Sequence, residues 1–230
     1  MVSPKQLGDL ARQGKIDAGP ISLLDSLELE EQYEALGNFG IAVKNSAKSV
    51  LLFSKKSIDK LAGCAIGLTP QTVTSSLLLK FILEGKYGIE PKYQQGFARN
   101  CDAQLRIGDD ALQAVFDKKI TGNFSYVYDL GEEWHKWQNL PFVFARWMVK
   151  KNLGGELKKM LSETLENNIK SAEKNTGSAI AWFEKKYNRS FPQPKEYLRG
   201  FSYRIGETEK KAIAVFKRLT KGFAATACGC

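Results

Sequence analysis

The first apolar stripe sits at helical spacing. Leu7, Leu10 and Ala11 follow a capping Ser3 and a first-turn Pro4, and Gly14 supplies a stop. Lys15 to Ser22 reads as a short strand breaking into a turn. Residues 23–36 carry an acidic helical pattern, and Phe39 to Val43 a strand. Ser49-Val50-Leu51-Leu52-Phe53-Ser54 is a compact apolar run of the kind found in buried strands. A helical turn over Ser57–Leu61 leads to a strand at Ala65–Leu68 and a polar turn at Thr69–Thr72. Thr74 and Ser75 then open a helix that carries Leu78, Phe81 and Ile82 and stops at Gly85. Ala103–Ile107 and Phe142–Ala145 are further strands. Beyond residue 155 the pattern is helical, with one stripe at Leu157, Leu161, Leu165 and Ile169 and another at Ala212, Phe216, Leu219 and Phe223. Pro192 and Pro194 separate two of these helices.

Strands alternating with helices predict α/β layers with parallel pairing, and the all-helical end must pack on one lobe. A helix with no strand before it is an unusual way to open an α/β lobe. It predicts either a reduced lobe or a start that is missing.

Composition narrows the class. A chain of 230 residues, 43% hydrophobic, can bury one large core or two small ones. No run of eighteen apolar residues is present, so no membrane span is expected. The opening Met-Val-Ser-Pro-Lys-Gln lacks a signal-peptide core, which predicts a cytoplasmic protein. Residues 1–149 hold 17 basic and 17 acidic side chains, and residues 150–230 hold 17 and 8. The whole charge excess thus lies in the C-terminal third. It is spread along several helices without the aromatic interleaving of a single-strand binder, so solvated helix faces are expected rather than a nucleic-acid or membrane surface.

Metal and nucleophile chemistry find little support. Cys64, Cys101, Cys228 and Cys230 form no C-x-x-C pair, and His135 is the only histidine. No Ser-His-Asp triad is readable.

In open α/β sheets ligands bind beyond the carboxyl ends of the strands. Three polar clusters fall there: Ser22, the segment Thr69 to Ser75, and Asp109-Asp110. Thr72, Thr74 and Ser75 at a helix start suit an anion, and equally suit an ordinary hydroxyl cap. Asp109 and Asp110 are adjacent, so their side chains diverge, and one is expected to cap the helix beginning near Ala111. Glu132 and Glu133 diverge in the same way, whereas Trp134 and Trp137 both suit the core. Arg106 and Arg146 sit on strands, where an arginine needs a partner or a ligand.

The blocks Gly14-Lys15-Ile16-Asp17-Ala18, Ser49 to Ser54, Ile107-Gly108-Asp109-Asp110-Ala111-Leu112, Tyr128-Asp129-Leu130-Gly131-Glu132-Glu133-Trp134 and Leu140 to Ala145 carry a family resemblance, with Tyr197-Leu198 and Tyr203 before the last helix. In order and spacing they resemble the menaquinone biosynthetic chorismate dehydratase family of the futalosine route. A sister family of dihydroxynaphthoate synthases fits these blocks less well. The resemblance implies an α/β, two-lobed, periplasmic-binding-protein-like type II fold with the C-terminal helices packed on the first lobe. That lobe would comprise residues 1–47 and 142–230 and the second residues 48–141, joined by crossing strands at 48–54 and 142–148. It implies a cofactor-free enzyme, a monomer or homodimer, that converts chorismate to 3-enolpyruvylbenzoate by loss of water. Ser49 aligns with a serine that faces the substrate, which implies hydrogen bonding at the reacting centre. Thr74 and Ser75, with Thr72, would hold a carboxylate, and Ser22 and Asp109 would line the cleft. The family's first strand, which delivers an active-site asparagine, has no counterpart here, so an N-terminally truncated, weakly active chain is expected. The alternative is a non-catalytic relative that binds a small carboxylate between the lobes.

Overall fold

The computed structural model describes residues 2–98, 100–187 and 194–227. The chain runs α1 (Pro4–Arg12), β1 (Ala18–Ser22), α2 (Leu23–Glu28), β2 (Tyr33–Val43), β3 (Val50–Ser54) and β4 (Ala65–Leu68). Next come α3 (Thr74–Lys80), which continues as a π-helical turn over Phe81–Lys86, then β5 (Lys92–Gln95), β6 (Ala103–Ile107), α4 (Gly108–Phe116) and α5 (Lys118–Thr121). It ends with β7 (Tyr126–Asp129), α6 (Leu130–Gln138), β8 (Phe142–Lys150), α7 (Gly155–Lys174), α8 (Gly177–Tyr187), α9 (Pro194–Arg199), β9 (Phe201–Arg204) and α10 (Glu207–Ala227).

Two sheets result, as a two-lobed fold requires. One has the order β1-β8-β2-β9, the other β5-β4-β6-β3-β7. The expectation of parallel pairing holds only for β5-β4-β6. The first sheet is antiparallel throughout, and β3 runs against both β6 and β7. The reason is the chain path. β8 returns from the second sheet and inserts between β1 and β2, while β3 enters the second sheet from the opposite direction. Neither expected crossing strand pairs in both sheets: β3 pairs only in the second and β8 only in the first.

The acidic segment 23–36 is not one helix. Helix α2 ends at Glu28, and from Tyr33 the chain is extended. Tyr33 is buried and its phenol donates to the carbonyls of Ala11 and Ile16, at 3.2 and 2.7 Å. Packing of this aromatic ring overrides the weak helical preference of its neighbours.

One core runs through both lobes. Phe142 of β8 stacks edge-on with Trp134 of α6 at 5.3 Å and with Phe216 of α10 at 5.7 Å. Phe216 also meets Phe81 of the π turn at 5.4 Å. Helix α10 therefore packs on β8 and also reaches across to the second sheet's helices, more than the expected packing on the first lobe alone. Full burial of one such phenylalanine contributes about 2–3 kcal/mol. Trp134 is buried and Trp137 half-buried against Gly85, as their spacing predicted. Pro192, Cys228 and Cys230 lie outside the described residues; Cys64 and Cys101 are buried free thiols. Among the described residues no helix is long and apolar enough to cross a membrane.

Candidate functional site

The carboxyl ends of β4, β6 and β7 and the start of β3 share one end of the second sheet, as the pairings Leu68 with Leu105, Val50 with Ile107 and Leu51 with Asp129 require. Ser49, Thr69 and Gly108 are thus neighbours along that rim, about 5 Å apart per strand. The end of β1 in the first sheet meets the same rim, because the Thr74 hydroxyl donates to Ser22 Oγ at 3.1 Å.

The cluster around Ser22 is buried and internally bonded. Ser22 Oγ donates to Asp25 Oδ2 at 2.7 Å, and Thr74 Oγ1 accepts the Leu24 N–H at 3.0 Å. Thr72 Oγ1 accepts the Ser75 N–H at 3.3 Å and donates to Ser75 Oγ at 3.4 Å. All four predicted hydroxyl residues are buried. Asp25 is fully buried and paired with Arg12, which also reaches Glu28 at 2.8 Å. Burial pushes the Asp25 carboxyl up, and the Ser22 and Arg12 contacts only partly offset it. Arg12 is itself pushed up, chiefly by its bond to Glu28. A main-chain bond from Lys5 N to the Gln71 carbonyl, 3.1 Å, adds a further tie between the two sheets' elements.

The cluster around Ser49 is built differently. Ser49 Oγ accepts a hydrogen bond from the Tyr197 phenol at 3.1 Å and donates to the Ala47 carbonyl at 3.2 Å. Its own carbonyl accepts the Gly108 N–H at 2.7 Å. Gly108 has φ +56°, a conformation that suits glycine at the turn into α4. Burial pushes the Tyr197 phenol up; the Ser49 bond opposes this, and Tyr203 and Asp109 add to it. Tyr197 therefore stays a protonated donor at neutral pH.

The segment before Ser49 hangs on Asp129. This carboxylate caps α6 through the N–H groups of Gly131 and Glu132, at 2.9 and 3.1 Å. It also accepts from Ser46 Oγ at 2.7 Å, Ala47 N at 3.0 Å and Lys48 N at 2.5 Å. Lys48 is held at φ +56°, a left-handed position that a β-carbon disfavours.

The sequence-derived candidates thus fall into two groups on one rim: Ser22 with Thr72, Thr74 and Ser75, and Ser49 with Asp109. Asp109 is exposed in the first turn of α4. Neither it nor Asp110 caps that helix. The helix starts earlier than Ala111, at Gly108, with Ile107 in the cap position, and Asp110 pairs instead with Arg106. Buried Glu133 accepts from Lys86 and Tyr87, both at 2.6 Å, and these bonds outweigh burial to hold it below the usual carboxylate range. It is a packing anchor. Arg146 finds its partners in Ser26 and Glu30. Sequence reasoning assigned no role to Asp129 or Tyr197. Asp129 stands directly before a Leu-Gly-Glu-Glu-Trp helix start, a readable cap, but its reach to residues 46–48 leaves no local trace.

Comparisons with known proteins agree with this architecture. A family model described as menaquinone biosynthesis matches residues 1–221. The chorismate dehydratase of Thermus thermophilus is 26% identical over 232 residues, covering 93% of this chain and 83% of the relative. The 1,4-dihydroxy-6-naphtoate synthase of the same organism is 20% identical over 209 residues, covering 89% and 76%. Among solved structures, protein AF1704 from Archaeoglobus fulgidus superposes with a TM-score of 0.75 at 18% identity, over 96% of this chain and 84% of that one. The periplasmic aliphatic sulphonate binding protein SsuA of Escherichia coli gives 0.65 at 13%, over 99% and 80%. These two likenesses speak for the fold.

Proposed function

This chain belongs to the menaquinone biosynthesis family, and from that premise we propose that it is a chorismate dehydratase that releases water from chorismate to give 3-enolpyruvylbenzoate. We take residues 1–47 with 142–230 as one lobe and 48–141 as the other, with substrate on the rim that carries the Ser22–Thr74 and Ser49–Tyr197 pairs. The observation that carries the reading is the Tyr197–Ser49 hydrogen bond on a segment fixed by Asp129.

The reaction removes a ring proton and a ring hydroxyl and leaves an aromatic ring, so its product is strongly favoured. The protein's task is to hold a dianion, orient it and exclude water. On this reading the Thr72, Thr74 and Ser75 hydroxyls take a substrate carboxylate in exchange for their present mutual bonds. The Ser49 hydroxyl, polarised by the Tyr197 phenol, turns its proton from the Ala47 carbonyl to the reacting ring. Ser49 Oγ bonds the Ala47 carbonyl and the Tyr197 phenol rather than a histidine or carboxylate, so on this reading its role is hydrogen bonding.

The test is direct. Chorismate incubated with the purified chain yields 3-enolpyruvylbenzoate, followed by mass spectrometry. Ser49→Ala lowers kcat by about 100-fold, the loss typical of one donor at a reacting centre. Chorismate binding without turnover would replace this reading with that of a non-catalytic carboxylate binder.

A further inference from the structure

Arg106 is left unexplained by the rim. On β6 its neighbours Leu105 and Ile107 are buried in the shared core, so its side chain lies on the opposite face of the sheet, toward α4 and α5. There Nη1 bonds Asp110 at 2.7 Å and Nη2 bonds Gln104 Oε1 at 2.8 Å, while the Phe97 ring lies 4.3 Å from the guanidinium carbon. The Nε–H is buried and has no acceptor. Among the described residues it is the one buried side-chain polar atom in that condition. Leaving a donor of a charged group unsatisfied costs about 1–3 kcal/mol or more, so such groups call for a missing acceptor.

Arg106 borders a cavity of about 390 Å³, within the range of small-molecule sites. Its polar lining includes Lys55, Gln104 and Asn123, and its apolar walls include the Phe97 and Phe124 rings. No carboxylate is among the described lining residues. Asp110 balances one of the two cations among the described lining residues, which leaves a single positive charge there.

We propose that this cavity is a second ligand site, separate from the rim, for a small organic monocarboxylate. The carboxylate lies between the Arg106 guanidinium and the Lys55 ammonium, and one of its oxygens takes the buried Nε–H as the guanidinium turns toward the cavity. The apolar body lies against Phe97 and Phe124. The residual charge sets the ligand as a monoanion, and the two rings select an organic body over a bare inorganic anion.

Benzoate is the probe, read on the arginine Nε–H resonances of the ¹⁵N-arginine-labelled chain. One resonance, identified by its absence in Arg106→Met, should shift saturably with benzoate. Calorimetry should show benzoate affinity falling about tenfold in Arg106→Met, the size of one charge-assisted hydrogen bond, and also falling in Lys55→Ala. Ser49→Ala should bind benzoate as the unaltered chain does, and inorganic phosphate should bind more weakly than benzoate. An unmoved Arg106 signal would overturn the proposal. So would equal affinity in Lys55→Ala, which decides the matter if Arg106→Met does not fold. Loss of binding in Ser49→Ala would place benzoate at the rim instead, and phosphate matching benzoate would remove the organic class.

Discussion

The two halves of the rim solve the same problem in opposite ways. At the Ser22–Thr74 half, side chains bind one another: a hydroxyl from β1 meets a hydroxyl from α3, with Asp25 and Arg12 behind them. The bond between the two hydroxyls joins side chains alone, so a ligand oxygen could replace it by side-chain rotation. At the Ser49–Tyr197 half, the main chain itself is fixed, by an aspartate that gathers five donors and by a lysine held left-handed. The first arrangement suits a clasp that opens and recloses around an acid. The second suits a group that must already be in place when the substrate arrives.

The sharpest way to break this contrast is to remove the fixed half's anchor. Asp129→Ala strands the Ala47 and Lys48 N–H groups and uncaps α6. We expect a loss of about 3 kcal/mol in urea unfolding, since charge-assisted bonds and a helix cap disappear together. Activity should fall with it even under conditions where the variant is fully folded, because Ser49 loses its position. A variant that unfolds earlier yet turns over normally when folded would show that the anchor serves stability alone.

The clasp half should respond more mildly. Thr74→Val keeps the shape but removes the hydroxyl that Ser22 and Leu24 share, and Ser22→Ala removes the partner. A double-mutant cycle on stability should give a coupling near 1 kcal/mol, typical of a buried neutral hydrogen bond. Coupling near zero would mean that the two hydroxyls only lie side by side. In steady-state kinetics both variants should raise the substrate KM more than they lower kcat, the reverse of Ser49→Ala.

Which of these features could be read from the chain follows from what each depends on. Val50–Ser54, Ala65–Leu68 and Phe142–Ala145 stand out as near-continuous apolar runs, whereas Ala103–Ile107 stands out by apolar residues alternating with Gln104 and Arg106. Lys92–Gln95, Tyr126–Asp129 and Phe201–Arg204 pass unnoticed. They are edge strands, polar or half-exposed, and main-chain pairing rather than side-chain pattern makes them strands. Ser22, Thr74 and Ser49 are visible as hydroxyls at strand ends. Their partners are not, because Asp129 acts about eighty residues away and Tyr197 nearly one hundred and fifty. Closures of that length belong to tertiary structure.

The smallest effect is also the most specific. Lys48 carries a β-carbon in a left-handed conformation immediately before Ser49, where glycine would sit without strain. Lys48→Gly relieves that strain but adds freedom to the unfolded chain, so the two effects partly cancel. The Lys48 ammonium lies 3.8 Å from Glu196, an exposed contact whose loss contributes little. A net gain of about 0.5–1 kcal/mol is expected in thermal unfolding, because left-handed strain in a non-glycine residue exceeds the entropy that glycine adds. If the fixed half depends on Asp129 rather than on the lysine, catalytic turnover should be unchanged in Lys48→Gly. Should turnover drop while stability rises, the strain at residue 48 would itself be part of how Ser49 is aimed.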